Sequence, residues 1–497
     1  MGIIAKQSIK GTIVTYIGVA IGFVTTFFVL TRFLTTEEIG LSRVLIDAAT
    51  LFVGLAQLGT SSSIVRFFPY FRDEENHHGF FFWMMVVPFL GFAIFALIYW
   101  GCFTPLSAWF GEKSPMFVDY YYFVVPIAFC MLYQAVFETS ASVMKRIVVP
   151  KFVREVLIRV CLLISYLLYA FHVLSLDGFV IALCGSYAVA ALVNAGYFFS
   201  LGQVSLRPDW AYLRAHRDTV RSYLFYTGFL ILSALASVLA PTLSSFFITA
   251  KMGLQFTGIF AIATYIAVIV SIPFRSLAAI TQPELAQAIK DADTFNCRRL
   301  LSQASNNMLL IGGFIFLTIW FNIDLIFHLL PNGQDFACAK HVVLLLGIGQ
   351  LIVASLSIYV SALGYSRFYA FSLLNSLVLT GSAIVLNNYL IPLYGMNGAA
   401  LATVISDVLY YIFAVTISSW ALRLVPFHRQ HGYTLMLLVG LFAINWAWTQ
   451  WMPIDHIWLD CIVRSVVLIG GGLGLAYRLR LSKEIDALLR GFFVHRN

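Results

Sequence analysis

The sequence predicts an all-α integral membrane protein of 14 transmembrane helices, two parallel-repeat six-helix bundles plus two C-terminal helices, with both termini cytoplasmic. Three observations predict it. Of 497 residues, 60% are apolar and 11% charged. A soluble domain carries about 25% charged residues, so this chain cannot dress a water-facing surface of ordinary size. Apolar runs of about 20 residues, the length that crosses a bilayer, recur from one end to the other. The basic residues fall in alternate connections, as the positive-inside rule requires.

Matched to the bilayer thickness, the runs place helices near 11–31, 39–63, 79–102, 119–140, 152–172, 178–201 and 222–248. The second set lies near 257–279, 304–322, 341–362, 368–388, 398–420, 433–451 and 457–477. The first run, Gly11 to Thr31, follows Lys6 and Lys10 and exceeds the apolar core of a cleaved signal, so it reads as a retained span. The longest connection, near 280–303, is too small for a soluble domain. With the N-terminus inside, the inner segments hold 24 of the 31 lysines and arginines. The outer ones hold only Arg32, Lys113, Lys251 and Lys340, and Arg43, Arg159 and Arg464 fall within helices. The net charge of +8 belongs to this asymmetry and calls for no nucleic-acid partner. The seven cysteines form no CxxC pair and read as small buried side chains.

Domain organisation follows from glycines and amphipathic stretches. Gly40 and Gly258 stand at the starts of the second and eighth helices, an offset of 218, and Gly178 and Gly398 at those of the sixth and twelfth, an offset of 220. Near-equal offsets at matching helix starts indicate two halves of one orientation, as in parallel-repeat transporters. The expected division is 1–206 for an N-terminal six-helix bundle, 207–221 for a cytoplasmic amphipathic linker and 222–424 for a second bundle. Residues 425–477 hold helices 13 and 14, and 478–497 an amphipathic tail. Linker and tail mix basic residues with Trp, Leu or Phe, as helices resting on an anionic leaflet do. "IPLYGMNGAALATVIS" (Ile391–Ser406) reads as a turn followed by small residues that let helices approach closely. "GGGLG" (Gly470–Gly474) reads as close packing and not as a nucleotide loop, which would follow a strand.

The same stretch, extended to "IPLYGMNGAALATVISD", resembles the eleventh-to-twelfth helix segment of polysaccharide-biosynthesis flippases, members of the multidrug/oligosaccharidyl-lipid/polysaccharide exporter superfamily. "SIKGTIVTYIGVAIGFVTTFFVLTRFLTTEEIGL", "RFFPYFRDEENHHGF" and "VPKFVREVLIRV" resemble that family too, so the likeness spans both halves. The resemblance implies an alternating-access exporter without enzymatic chemistry, built as two six-helix bundles around a central cavity, in a bacterial cytoplasmic (inner) membrane. It implies a polyprenyl-pyrophosphate-linked oligosaccharide as cargo, of the O-antigen or lipopolysaccharide type, moved from inner to outer leaflet. Membrane lipids and other polysaccharide assembly proteins are the implied partners. In relatives, a thirteenth and fourteenth helix can form a groove for the lipid tail.

A charge inside a span costs roughly 2.5–3.5 kcal/mol on insertion scales, so each needs a partner or a task. A pyrophosphate headgroup calls for cationic donors, and the planar guanidinium suits phosphate oxygens. Arg43 and Arg159 are the candidates within the bilayer, with Arg66 and Arg154 at the inner mouth. The competing structural reading pairs Arg43 with Asp47, Arg159 with Glu155 or Glu138, and Arg464 with Asp460. Asp47, Glu138 and Asp407 are candidates for charge pairing or for carrying a coupling ion, H+ or Na+, with the membrane potential as the other drive. No cofactor or metal is expected. Two other function classes compete: a cation-coupled small-molecule exporter of the same fold, and a membrane glycosyltransferase or polymerase. The latter would want acidic, His or Arg clusters in sizeable outer loops, and the largest outer loop, Asn322 to Lys340, has no tight constellation.

Overall fold

The computed structural model describes residues 3–71, 77–144, 146–202, 208–210, 239, 241–366, 368, 370–422, 429–451 and 456–481. The expected linker 207–221 and tail 478–497 therefore lie outside the described residues, apart from 208–210 and 478–481. Every element among the described residues is helical. Eleven helices are long and apolar enough to cross a membrane. One of these, Phe371–Leu422, is two expected spans joined at a bend. The expected seventh span is described only at its end, where 241–251 is helical.

The chain forms two compact units, Met1–Ala261 and Ile262–Asn497. In the first, α1 (Ile3–Val24) runs on through a π turn, Thr25–Leu30, to Phe33. α2 (Thr36–Ala56) opens with a capping box: Thr35 Oγ1 accepts from the Glu38 amide at 3.3 Å, and Glu38 Oε2 accepts from the Thr35 amide at 2.8 Å. Two of the donors that a helix start leaves unpaired are thereby satisfied. The second span was expected to run unbroken to 63. It ends instead at Ala56, because Leu58 (φ 47°) and Gly59 (φ 68°) turn left-handed before α3 (Thr60–Phe71). Phe67, Phe68 and Phe71 of α3 then pack against Phe80 and Phe81 of α4 (Phe80–Gly101). After α5 (Phe103–Gly111) and α6 (Val124–Val143), residues Val148–Phe152 lead through a second π turn, Val153–Leu157, into α7 (Ile158–Ala170). α8 (Leu176–Ser200) is capped by Ser175, whose hydroxyl accepts from Gly178.

α9 (Leu254–Val268) begins 218 residues after α2, the offset that the glycines indicated. The repeat signal extends to side chains. Thr31 and Thr249, also 218 apart, are both fully buried, and each donates to the carbonyl four residues back, Phe27 at 2.8 Å and Ser245 at 2.7 Å. Gly40 and Gly258 meet each other. A Cβ on Gly40 would stand 3.1 Å from the Gly258 amide nitrogen, and one on Gly258 would stand 3.0 Å from that of Gly40 and 1.9 Å from the Thr36 carbonyl oxygen. Only glycine allows backbones to cross so closely.

In the second unit, α10 (Ile272–Lys290) carries the chain well past the expected end of its span, and α11 (Thr294–Phe321) starts ten residues before the expected 304. The connection near 280–303 is thus mostly helix. It was too polar to count as a span, and apolar content marks where a helix meets lipid, not where it ends. After α12 (Lys340–Tyr365), α13 (Phe371–Leu422) bends at Gly395, whose φ of 57° and ψ of −134° suit glycine alone. Gly398 completes the turn: a Cβ there would lie 2.0 Å from the Leu390 carbonyl oxygen. Such is the role of "IPLYGMNGAAL". α14 (Arg429–Trp451) and α15 (Ile457–Arg478) pack on α11 through Leu438, Leu441 and Leu468 against Leu310, Phe314 and Leu317. In "GGGLG" the close approach is at Gly472, where a Cβ would meet Leu441 at 2.7 Å and Phe314 at 2.8 Å.

Candidate functional site

Four of the expected charges form one network in the first unit. The π turn Val153–Leu157 presents Arg154 and Glu155 side by side, and such turns recur at functional sites. Arg154 Nη1 donates to Glu138 of α6 at 2.6 Å and its Nε to Glu155 at 3.2 Å. Glu155 also accepts from Arg159 Nη2 at 3.4 Å, and Arg159 Nη1 reaches across to the Gly18 carbonyl of α1. Glu138 therefore belongs to Arg154 and not to Arg159, and Glu155 joins the two arginines. The side chains of Arg154 and Arg159 are 49% and 32% exposed, so the cationic edge is open while the carboxylates, at 20% and 13%, lie behind it.

The first helix makes room for this edge. A Cβ on Gly18 would stand 2.2 Å from the Glu155 carbonyl oxygen, and one on Gly22 would stand 2.6 Å from Arg159 Nη1. The "GVAIG" of 18–22 is a small-xxx-small stripe, a spacing that marks close helix contact in membranes. That spacing, together with Glu155, is the signal that a reading of arginines alone passes over.

Arg43 and Asp47 pair as the spacing requires, with Nε 2.9 Å from Oδ2. Ser245, a buried residue of the 241–251 helix, stands beside the Asp47 carboxylate. Arg66 is exposed on α3, its guanidinium 5.6 Å from the centre of the Phe67 ring.

In the second unit, Asp407 lies in the second half of α13 beside Gly349 of α12, where a Cβ would come within 3.9 Å of Oδ2. One turn on, the Tyr411 hydroxyl is 3.1 Å from Ser357 Oγ. Arg464 and Asp460 bond directly within α15; Asn445 lies 3.4 Å from Arg464 Nη1, and Trp448 Nε1 donates to Asp460 at 3.1 Å.

Comparison with solved structures shows the fold. The lipid II flippase MurJ, in an inward closed conformation, superposes with a TM-score of 0.72 at 11% identity, over 95% of this chain and 99% of that one. A multidrug resistance MATE family transporter of the MOP superfamily, inward-facing, gives 0.65 at 14% identity over 81% and 94%. A MOP superfamily transporter from Pyrococcus furiosus gives 0.58 at 14% identity over 85% and 96%. No curated protein sequence is significantly similar to this one. The chain is thus a multi-pass membrane protein with the fold of flippases and exporters. Residues 4–289, more than half of its length, match the family described as "Polysaccharide biosynthesis protein", and to that family the chain belongs.

Proposed function

We propose that the protein exports a polyprenyl-pyrophosphate-linked oligosaccharide from the inner to the outer leaflet of a bacterial inner membrane, by alternating access of the bundles 1–206 and 222–424. The observation that carries this reading is the open cationic edge of Arg154 and Arg159, backed by Glu138 and Glu155 inside an otherwise apolar helix bundle. An anionic headgroup can bind there by displacing part of an existing ion pair, so the edge is never left as a bare charge in lipid. Arg43 would offer a further phosphate contact and Arg66 would attract the headgroup at the inner mouth. The thirteenth and fourteenth spans, residues 425–477 (α14 and α15), would offer the lipid tail a groove, and other polysaccharide assembly proteins would supply and receive the cargo. O-antigen-type sugar fits this reading of the family.

The test is a reconstituted flipping assay with a polyprenyl-pyrophosphate oligosaccharide, comparing the parent with Arg159→Ala at equal amounts of folded protein. A loss of at least tenfold in the variant is expected. An unchanged rate would make Arg159 a structural tie to α1. A second reading, cation-coupled export of a small molecule, draws on Asp407, which makes no ion pair among the described residues. It predicts drug efflux that Asp407→Asn abolishes, with no movement of lipid-linked sugar.

A further inference from the structure

A cleft of about 330 Å³ opens in the first unit between α2, α4, α5 and the 241–251 helix. Its walls are hydrocarbon and ring faces, among them Leu51 and Phe52 of α2, Trp109 and Phe110 of α5, and Phe247. Tyr99 and Tyr121 also line it, but their hydroxyls are turned to one another's backbone. Tyr99 donates to the Tyr121 carbonyl at 3.2 Å and Tyr121 to that of Tyr99 at 2.8 Å, with the rings stacked 4.1 Å apart. With the hydroxyls so engaged, the two rings offer an occupant apolar surface. A cavity so lined excludes water and takes hydrocarbon.

The polar end selects which hydrocarbon. Arg43, Asp47, Leu51 and Leu55 follow one another at four-residue intervals on α2 and so share one face. Ala48, Leu51 and Leu55 line the cleft, and Asp47 and Arg43 follow beyond them on the same helix, about 6 and about 12 Å along its axis from Leu51. On the facing wall Ser245, which stands beside Asp47, immediately precedes Phe246 and Phe247. One end is thus a guanidinium with its counter-ion, and the rest is aromatic and aliphatic, which suits an amphiphile with an anionic head. The volume is near the lower end of the ~300–1,000 Å³ range of ligand pockets. It admits one chain, whereas a bilayer phospholipid brings two. Ring faces suit a branched, unsaturated chain that can lay methyl groups and double bonds flat against them.

We propose that this cleft binds the headgroup-proximal isoprenoid segment of a polyprenyl phosphate, with the phosphate at Arg43. The inference rests on the reading that the protein handles a polyprenyl-linked sugar, and it adds a tail site in the N-terminal unit, separate from helices 13 and 14.

The test is equilibrium binding of radiolabelled farnesyl phosphate to the purified full-length protein in lipid nanodiscs. The competitors are dodecyl phosphate, which has the same head on a saturated chain, and farnesol, which has the chain alone. The expected result is saturable binding, with both competitors at least tenfold weaker than unlabelled farnesyl phosphate. Leu51→Trp and Leu243→Trp, which fill the cleft, should each weaken binding at least tenfold. Leu97→Trp, on a residue of α4 that is 75% exposed, should leave it unchanged. Arg43→Gln should weaken farnesyl phosphate and leave farnesol as it was. Absence of saturable binding to the parent would overturn the proposal. So would equal competition by dodecyl phosphate, which would make the cleft a general alkyl site, or full binding by either filled variant with a parental melting temperature. The competitor arms need no variant, so a substitution that fails to fold leaves them decisive. A parent that flips lipid-linked oligosaccharide yet binds no farnesyl phosphate overturns this inference alone. A parent that binds it as expected and flips nothing overturns the transport reading alone.

Discussion

Glu155 with Arg159 and Asp460 with Arg464 are the same pair by spacing: a carboxylate, then an arginine four residues on. Their surroundings differ. Arg464 and Asp460 have side chains 10% and 11% exposed, and Asn445 and Trp448 of the neighbouring helix close over them. Arg159 is 32% exposed and shares its carboxylate with Arg154, which is 49% exposed. One pair is sealed and spends its charge on itself, tying α15 to α14. The other lies open, with Glu155 shared between two guanidinium groups and Glu138 completing a four-charge network. Spacing on one helix tells whether two charges can meet, and the neighbouring helices decide whether anything else can reach them.

The largest effect that would break this contrast is at the sealed pair. Asp460→Ala leaves Arg464 buried without its counter-ion, which costs about 3–5 kcal/mol. A drop in melting temperature of several degrees is expected, with the Asp460→Leu, Arg464→Leu double variant recovering most of it. If the single variant melts with the parent, Arg464 reaches water by another route. Next comes Gly18→Ala, whose Cβ would collide with the Glu155 carbonyl oxygen at 2.2 Å. Backbone cannot swing aside, so α1 must move away from α7, at about 1–3 kcal/mol as for other overpacked contacts. Thermal unfolding and flipping should both suffer. The smallest change in stability belongs to Gly22→Ala, whose Cβ meets the far end of the Arg159 side chain at 2.6 Å. The guanidinium can shift, so melting should stay within about 0.5 kcal/mol of the parent, the range of benign substitutions. Flipping should fall severalfold because the open edge is displaced. Equal melting losses for the two glycine variants would show that Arg159 is held as rigidly as backbone.

Much of the architecture was legible in the sequence because lipid imposes a simple rule on composition. The apolar runs located most of the spans among the described residues, and the glycine offset of 218 recurs in the starts of α2 and α9. Boundaries were less legible wherever a helix leaves the bilayer. α10 and the start of α11 are polar yet helical, and α2 stops at a left-handed Leu58 that no periodicity announces. At the candidate site, partners on the same helix could be foreseen. Arg43 with Asp47 and Arg159 with Glu155 follow from 3.6 residues per turn. Partners on other helices could not, because which of two acids meets Arg154, or that Ser245 meets Asp47, depends on lateral packing that a single chain's pattern does not encode. Gly18 and Gly22 carry a spacing that points outward to a neighbour, but a reading of the charges alone passes over it.

The crossing of Gly40 with Gly258 has a consequence for ancestry. If the two halves descend from one duplicated six-helix chain, that ancestor paired with a copy of itself, and the crossing was a single glycine facing its own duplicate across a two-fold axis. Any replacement there would have struck both sides of the contact at once. Fusion into one chain ended that constraint, since each position can now change alone. Both positions nevertheless remain glycine, as backbone-to-backbone packing at this crossing demands.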